Sequence, residues 1–226
     1  MIKSFLLGGA MALFACAAQA GTLFTQPWDG SSDFYASQEG KAFFTPVSAT
    51  VYDDFHLDGA SSVTGLAFTG AYILSLPLQP IAGFSVNLYA DNAGAPGAVI
   101  STSFATSYNE IALTTLPLIN VFTYSVSFAP LALGAGDYWM SLVPQLQYAE
   151  WMMGVSATGN LNAIQTYNGM TRDLRRNLAF DVIGERVTGD GAVPEPGTWA
   201  LMLAGFGLAG AALCRRRGGV AGALLP

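Results

Sequence analysis

Between residues 84 and 90 apolar and polar side chains alternate one by one. Phe84, Val86, Leu88 and Ala90 fall on one side of an extended chain, and Ser85, Asn87 and Tyr89 on the other. That period of two marks a half-buried strand. The same pattern sets Phe122, Tyr124, Val126 and Phe128 against Thr123, Ser125 and Ser127. It also sets Tyr138, Met140 and Leu142 against Trp139, Ser141 and Val143. Further strands are predicted over residues 50–57, 62–71, 98–106, 148–153, 163–168 and 177–184. The run ADNAGAPGAV, residues 90–99, is a turn: Asp91-Asn92 and the glycines accept positive φ, and Pro96 fixes the exit. No stretch of the middle of the chain reads as a soluble helix. Many short strands with such turns predict an all-β fold, an antiparallel β-sandwich of jelly-roll-like type.

The pattern changes at both ends. Residues 4–20 carry no charge and follow Lys3; Phe5 to Cys16 form an apolar core, and Ala18-Gln19-Ala20 is a small-x-small cleavage site. This predicts a signal peptide over residues 1–20, removed so that the mature chain begins at Gly21. The core is too short to span a bilayer, which needs about 20 apolar residues.

Near the other end, VPEPGTWALMLAGFGLAGAALCRRR occupies residues 193–217. Residues 198–214 hold no charge and no polar face. As a helix they cover about 26 Å at about 1.5 Å per residue. That is just short of a hydrocarbon core of about 30 Å, and arginine stems extend it by snorkelling. Trp199 suits the outer interface; Arg215, Arg216 and Arg217 stay on the cytoplasmic side. Pro194 and Pro196 hold the approach extended, with Glu195 between them. A transmembrane helix over 198–214 is therefore expected, with the folded part outside.

Pro194-Glu195-Pro196, then Trp199-Ala200, then the apolar span and the arginine triplet together resemble the PEP-CTERM sorting signal of Gram-negative bacteria. The resemblance implies recognition by an exosortase, a cut near the Pro-Glu-Pro motif, transient residence in the inner membrane, and delivery to the cell surface or extracellular matrix. It implies a setting of exopolysaccharide and biofilm. The sorting signal is assigned to residues 191–217 and the exported domain to residues 21–190, with 218–226 as a short tail past the arginines, where such signals usually stop. The middle carries a second resemblance. VYDDF, GFSVNLYADNAGAPGAVI, GDYWMSLVP, EWMMG and NLAFDVIGE follow an order similar to that of secreted bacterial β-sandwich domains, which implies a fold and no activity.

Charge and candidate chemistry narrow the function. Residues 21–193 carry fourteen acidic and five basic residues, a formal charge of −9, which repels phosphate backbones and argues against nucleic acid as a partner. The chain's two cysteines, Cys16 and Cys214, both lie outside this region, so no disulfide framework is expected there. His56 is the sole histidine, on the same strand face as Asp54, and no nucleophile motif accompanies it. Glu39, Glu110, Glu150 and Glu185 are scattered, which disfavours a glycan hydrolase. Asp53, Asp54, Asp91 and Asn92, with Asp58 and Asp137, offer hard oxygen ligands to a Ca²⁺ ion. Trp28, Tyr35, Tyr148 and Trp151 stand in polar or turn-rich contexts and are candidates for stacking on sugar rings; Trp139 reads as core. The one basic cluster, TRDLRRN at residues 171–177, reads as a solvated loop offset by nearby carboxylates. The expectation is a non-enzymatic surface or matrix protein without an obligatory cofactor, structural or associated with exopolysaccharide. A lectin-like module and a glycan-active hydrolase are the alternatives.

Overall fold

In the computed structural model the described residues are 20–42, 45–73, 81–146, 150–187, 201–202 and 204–206. Two units divide after Val187. All the strands belong to the first unit. They are β1 (Gly21–Gln26), β2 (Phe34–Ala36), β3 (Gln38–Ala42), β4 (Thr45–Leu57), β5 (Ser61–Ile73), β6 (Phe84–Asp91), β7 (Pro96–Ala105) and β8 (Tyr108–Leu116). They continue with β9 (Ile119–Leu133), β10 (Gly136–Leu146), β11 (Glu150–Ser156), β12 (Ile164–Tyr167), β13 (Met170–Asp173), β14 (Asn177–Leu178) and β15 (Phe180–Arg186).

Two sheets form. The eight-stranded sheet is built on β5. One edge of β5 pairs with β9 along its whole length, and β8 pairs with β9 beyond. The other edge is shared: β15 takes Ser61 to Phe68 and β11 takes Gly70 to Ile73. At the junction the Thr69 N–H donates to the Ala179 carbonyl at 3.1 Å. β1 borders β15, and β2 and β14 border β11. The seven-stranded sheet runs β13-β12-β4-β3-β10-β6-β7, with β4 also pairing directly with β10. Pairing is antiparallel throughout, except for the short contact of β3 with β10.

The inward faces of the two sheets supply one core. Phe68, Phe84, Tyr124 and Trp151 meet at ring-centroid distances of 5.1 to 6.1 Å, and edge-on pairs of this kind add to the energy of burial alone. Gly70 makes room for this cluster, since a Cβ there would lie 2.1 Å from Trp151 Cζ2.

The predicted faces of β6 and β9 hold: Phe84, Val86 and Leu88 are core residues, as are Tyr124 and Val126. β10 differs. Met140 and Leu142 face the core as expected, but Trp139, Ser141 and Val143 on the opposite face are buried too. β10 lies between β4 and β6, and side chains from both neighbours flank that outer face. The predicted strand 177–184 is two strands, β14 and β15, interrupted at Ala179. The pattern did not predict β1, β2, β3, β8 and β13. The predicted signal peptide lies outside the described residues, apart from Ala20; Gly21, the first residue after the expected cut, begins β1. Of the expected span 198–214, residues 201–202 and 204–206 are described and are helical, with Leu201, Met202 and Phe206 exposed. Among the described residues no helix is long and apolar enough to cross a membrane.

Candidate functional site

The chemistry-bearing side chains collect on the outer face of the seven-stranded sheet. Along β4, Val51, Asp53, Phe55 and Leu57 are buried, and Tyr52, Asp54 and His56 point the other way. The register carries that outer row across β10 and β6. Tyr52 lies opposite Ser141, and Ser141 opposite Asn87. Asp54 lies opposite Trp139, and Trp139 opposite Tyr89. His56 lies opposite Asp137. Alternation on three strands in register therefore builds one continuous surface.

Tyr52 and Tyr89 are half-buried, and their rings meet edge-on with centroids 5.7 Å apart. The Tyr89 hydroxyl and the Ser141 hydroxyl share a 3.0 Å hydrogen bond, and the Asn87 amide donates to Ser141 at 3.3 Å. Burial pushes the Tyr89 hydroxyl above the ordinary tyrosine range, with the Ser141 bond opposing, so it is a neutral phenol at physiological pH. Trp139, although outside the core cluster, is fully buried. Its indole N–H donates to Asp91 Oδ1 at 2.8 Å. The same carboxylate accepts the Gly94 N–H at 3.2 Å, and the Asn92 N–H donates to the Ala95 carbonyl at 2.9 Å. The turn read from the sequence is thus anchored to the strand it faces.

Beside this face opens a cleft of about 250 Å³, lined by Phe24, Asp54, His56, Asp137, Thr158 and Asn160 among others. His56 Nδ1 and Asp137 Oδ1 are 2.7 Å apart. Asn160 donates to Asp54 Oδ2 at 2.6 Å. Asp54 Oδ1 is buried and has no hydrogen-bond partner.

The candidate calcium ligands are not brought together. Asp53 and Asp54 are successive strand residues and point to opposite faces. Asp53 is fully buried, where it accepts the Leu178 N–H at 2.6 Å and the Asp54 N–H at 3.0 Å. Asp91 serves the turn and Trp139. Asp58 pairs with Arg186 at 2.8 Å. Among the described residues no three His, Cys, Asp or Glu side chains converge on a metal-sized position.

Among the described residues the candidate stacking aromatics Trp28, Tyr35 and Trp151 do not form a platform either. Trp151 is fully buried in the core: β11 is paired on both edges, and its apolar run is covered on both faces. Tyr148 lies outside the described residues. Tyr35 packs on the core under the Arg172 guanidinium, 5.9 Å from its ring centroid. Trp28 packs against Phe34. Tyr52 and Tyr89 instead form an aromatic pair at the surface. Their signal was present as the polar-face tyrosines of two alternating strands. The basic cluster is engaged locally: Arg172 donates twice to Gln165, at 3.0 and 2.6 Å, and Arg176 lies 3.6 Å from Asp33. The carboxylates Glu39, Glu110, Glu150 and Glu185 sit on β3, β8, β11 and β15.

Residues 192–217 match the PEP-CTERM protein-sorting motif. Pro194, Glu195, Pro196, Trp199, Ala200 and the arginine triplet all fall within the matched stretch. The motif identifies a substrate of exosortase, and with that it implies export to the cell surface. No curated protein and no solved structure matches the chain.

Proposed function

We propose that this PEP-CTERM-bearing chain is a non-enzymatic component of the cell surface or extracellular matrix, and that its β-sandwich holds polysaccharide on the outer face of the seven-stranded sheet. The observation that carries the reading is the Tyr52–Tyr89 ring pair, with its rings 5.7 Å apart and the Ser141 hydroxyl and Asn87 amide beside it. A sugar ring is apolar on its C–H faces and polar around its rim. Half-exposed tyrosine rings beside the Tyr89 hydroxyl, which buried Ser141 holds in place, and the part-exposed Asn87 amide complement both. The sorting motif supports the same reading, because delivery to the surface places the domain among secreted polymers. In this account the signal peptide leaves first, residues 198–214 pause in the inner membrane with the arginines inside, and exosortase cuts near Pro194–Pro196.

The non-enzymatic part of the proposal rests on His56. Among the described residues its ring hydrogen-bonds to the Asp137 carboxylate and to no serine, threonine or cysteine, and the Thr25 hydroxyl in the same cleft is engaged by Asp181, whereas nucleophilic catalysis needs such a hydroxyl or thiol bonded to the base. Affinity electrophoresis of the full chain in gels containing neutral glucans tests the binding. Retardation that disappears in the Tyr52→Ala/Tyr89→Ala double variant is expected, with no release of reducing ends. Unretarded migration in every polymer overturns the binding, and sustained turnover overturns the non-enzymatic role.

A further inference from the structure

We infer that Phe104 is a second sugar-stacking platform on the face that carries Tyr52 and Tyr89, and that the two platforms together take a neutral, ribbon-shaped glycan of β-1,4 type laid along β6 and β7. The inference rests on the polysaccharide reading above and names the polymer class.

Register puts both platforms on one face. Tyr89 lies opposite Val99 on β7, and Ser85 lies opposite Phe104. Tyr89, Asn87 and Ser85 share the outer side of β6, because Phe84, Val86 and Leu88 fill the core. Phe104 therefore stands on the tyrosine face. It is 50% exposed, and Val99 beside Tyr89 is 57% exposed. The Phe104 ring rests against Gly83, where a Cβ would lie 2.7 Å from its Cζ and 3.1 Å from its Cε2. The absence of a side chain at Gly83 gives the ring its seat, and half of it stays in water.

The separation and what lies between decide the ligand. Ser85 and Tyr89 are four residues apart on β6, about 13 Å at about 3.3 Å per residue. A disaccharide on one platform does not reach the other; a chain of several rings does. Between the platforms stand Asn87, part-buried, and Thr102, exposed, paired across the two strands. Their amide and hydroxyl groups suit the polar rim of the intervening rings. β7 has no charged residue and β6 has none before Asp91, in a region of formal charge −9. A neutral polymer crosses such a strip with no charge to compensate, whereas an ionic one would lose water from its charges without gaining a partner. The linkage follows from shape. Successive rings of a β-1,4 chain turn over and the chain stays straight, so its rings keep presenting C–H faces to the surface below. An α-1,4 chain coils away from that surface. A second copy of this protein is the rival occupant of an exposed apolar edge strand. The pairing irregularity around Ile100, opposite Leu88 and Tyr89, breaks that edge, and bulges of this kind discourage strand-to-strand addition.

Calorimetric titration of the full chain with cellohexaose, maltohexaose and cellobiose tests this. Cellohexaose should bind about tenfold more tightly than either of the others. Phe104→Ala should bring cellohexaose down to the level of cellobiose and leave cellobiose unchanged. Phe104→Tyr keeps the ring and should keep the preference. Ile111→Ala removes an exposed apolar side chain from β8 and should change nothing, with the melting temperature of each variant confirming the fold. Equal affinity for cellohexaose and maltohexaose overturns the inference. So does a Phe104→Ala variant that binds cellohexaose as the wild type does; if the Tyr52→Ala/Tyr89→Ala variant then still abolishes binding, the parent reading survives alone. Sedimentation velocity without sugar is the second readout. A wild type that self-associates, with Phe104→Ala monomeric, assigns the patch to a second copy and also overturns the inference. Failure to bind any of the three oligomers or any neutral glucan removes both readings.

Discussion

The Asp53 carboxylate accepts the backbone N–H of Leu178 at 2.6 Å and so bonds β4 of one sheet to β14 of the other. Gln26 on β1 joins the contact when its amide nitrogen faces Asp53 Oδ2, at 3.0 Å. Burial pushes the Asp53 carboxyl well above the usual carboxylate range, opposed by the N–H groups of Leu178 and Asp54. The sign of the pH effect follows from linkage. A carboxyl whose folded pKa is raised binds its proton more tightly in the folded state. Its contribution to stability is full below the unfolded value of about 3.9, and it is lost as the pH rises through the folded pKa. Asp53→Asn removes that titration. The stability of the wild type relative to Asp53→Asn should therefore fall as the pH is raised from 4 to 7, measured by urea unfolding at each pH. A difference that stays constant across this range would remove the argument. Asp53→Ala, which strands the Leu178 N–H, should cost about 1–3 kcal/mol.

Gly70 and Trp151 make the second prediction. Gly70→Ala places a methyl group 2.1 Å from Cζ2 and 2.6 Å from Cε2 of a fully buried indole. The ring cannot yield without disturbing Phe68, Phe84 and Tyr124, so overpacking should cost about 1–3 kcal/mol. A lower melting temperature is expected, with a changed near-ultraviolet circular dichroism signal from the aromatic cluster. An unchanged melting temperature would show that the core has slack beside Trp151.

The strands that half-bury one face were legible in the sequence because period two is a burial signal. Phe84, Val86 and Leu88 announce β6 in this way. β8 was not legible: its residues are mostly exposed on both faces, so nothing in its pattern distinguishes inside from outside. β11 was legible as a strand but its burial was not: EWMMGVS is covered on both faces, and Trp151 in its polar context reads as accessible. The acidic run Asp53-Asp54 suggested a shared ligand site, although alternation on a strand necessarily sends adjacent carboxylates to opposite faces. The site itself, Tyr52 with Tyr89 and Asp54 with Asp137, depends on cross-strand register. Register between β4, β10 and β6 is a long-range property that the local pattern does not encode. The tail was readable because its elements lie consecutively in the chain.

Trp139 and Asp91 make the third prediction. The Asp91 carboxylate holds the indole N–H and closes the turn through the Gly94 N–H. Gly94 itself has φ of +80°, a conformation that disfavours a side chain. Asp91→Ala leaves a buried indole N–H without its acceptor and should destabilise the domain by about 1–3 kcal/mol. Asp91→Asn keeps an oxygen for the indole and should cost less. Hydrogen exchange at the Gly94 amide is expected to accelerate in the alanine variant. Equal melting temperatures for the two variants would show that the contact is incidental.

The arginine triplet makes the last prediction. Arg215, Arg216 and Arg217 lie within the sorting motif and end an apolar stretch that is barely long enough to span a bilayer. Moving a positive charge through the hydrocarbon is costly: arginine at the centre of a helix opposes insertion by about 2.5–3.5 kcal/mol. In the proposed route the three charges are the stop that holds the chain in the inner membrane while exosortase reads Pro194-Glu195-Pro196. Replacing all three with glutamine removes the stop and leaves the apolar span unchanged. The variant should appear outside the inner membrane with its C-terminus uncut. Wild type recovered from the surface should instead end near residues 194–196. Intact-mass spectrometry of both proteins separates these outcomes. A triple variant trimmed as efficiently as the wild type would show that exosortase needs the motif without the membrane pause.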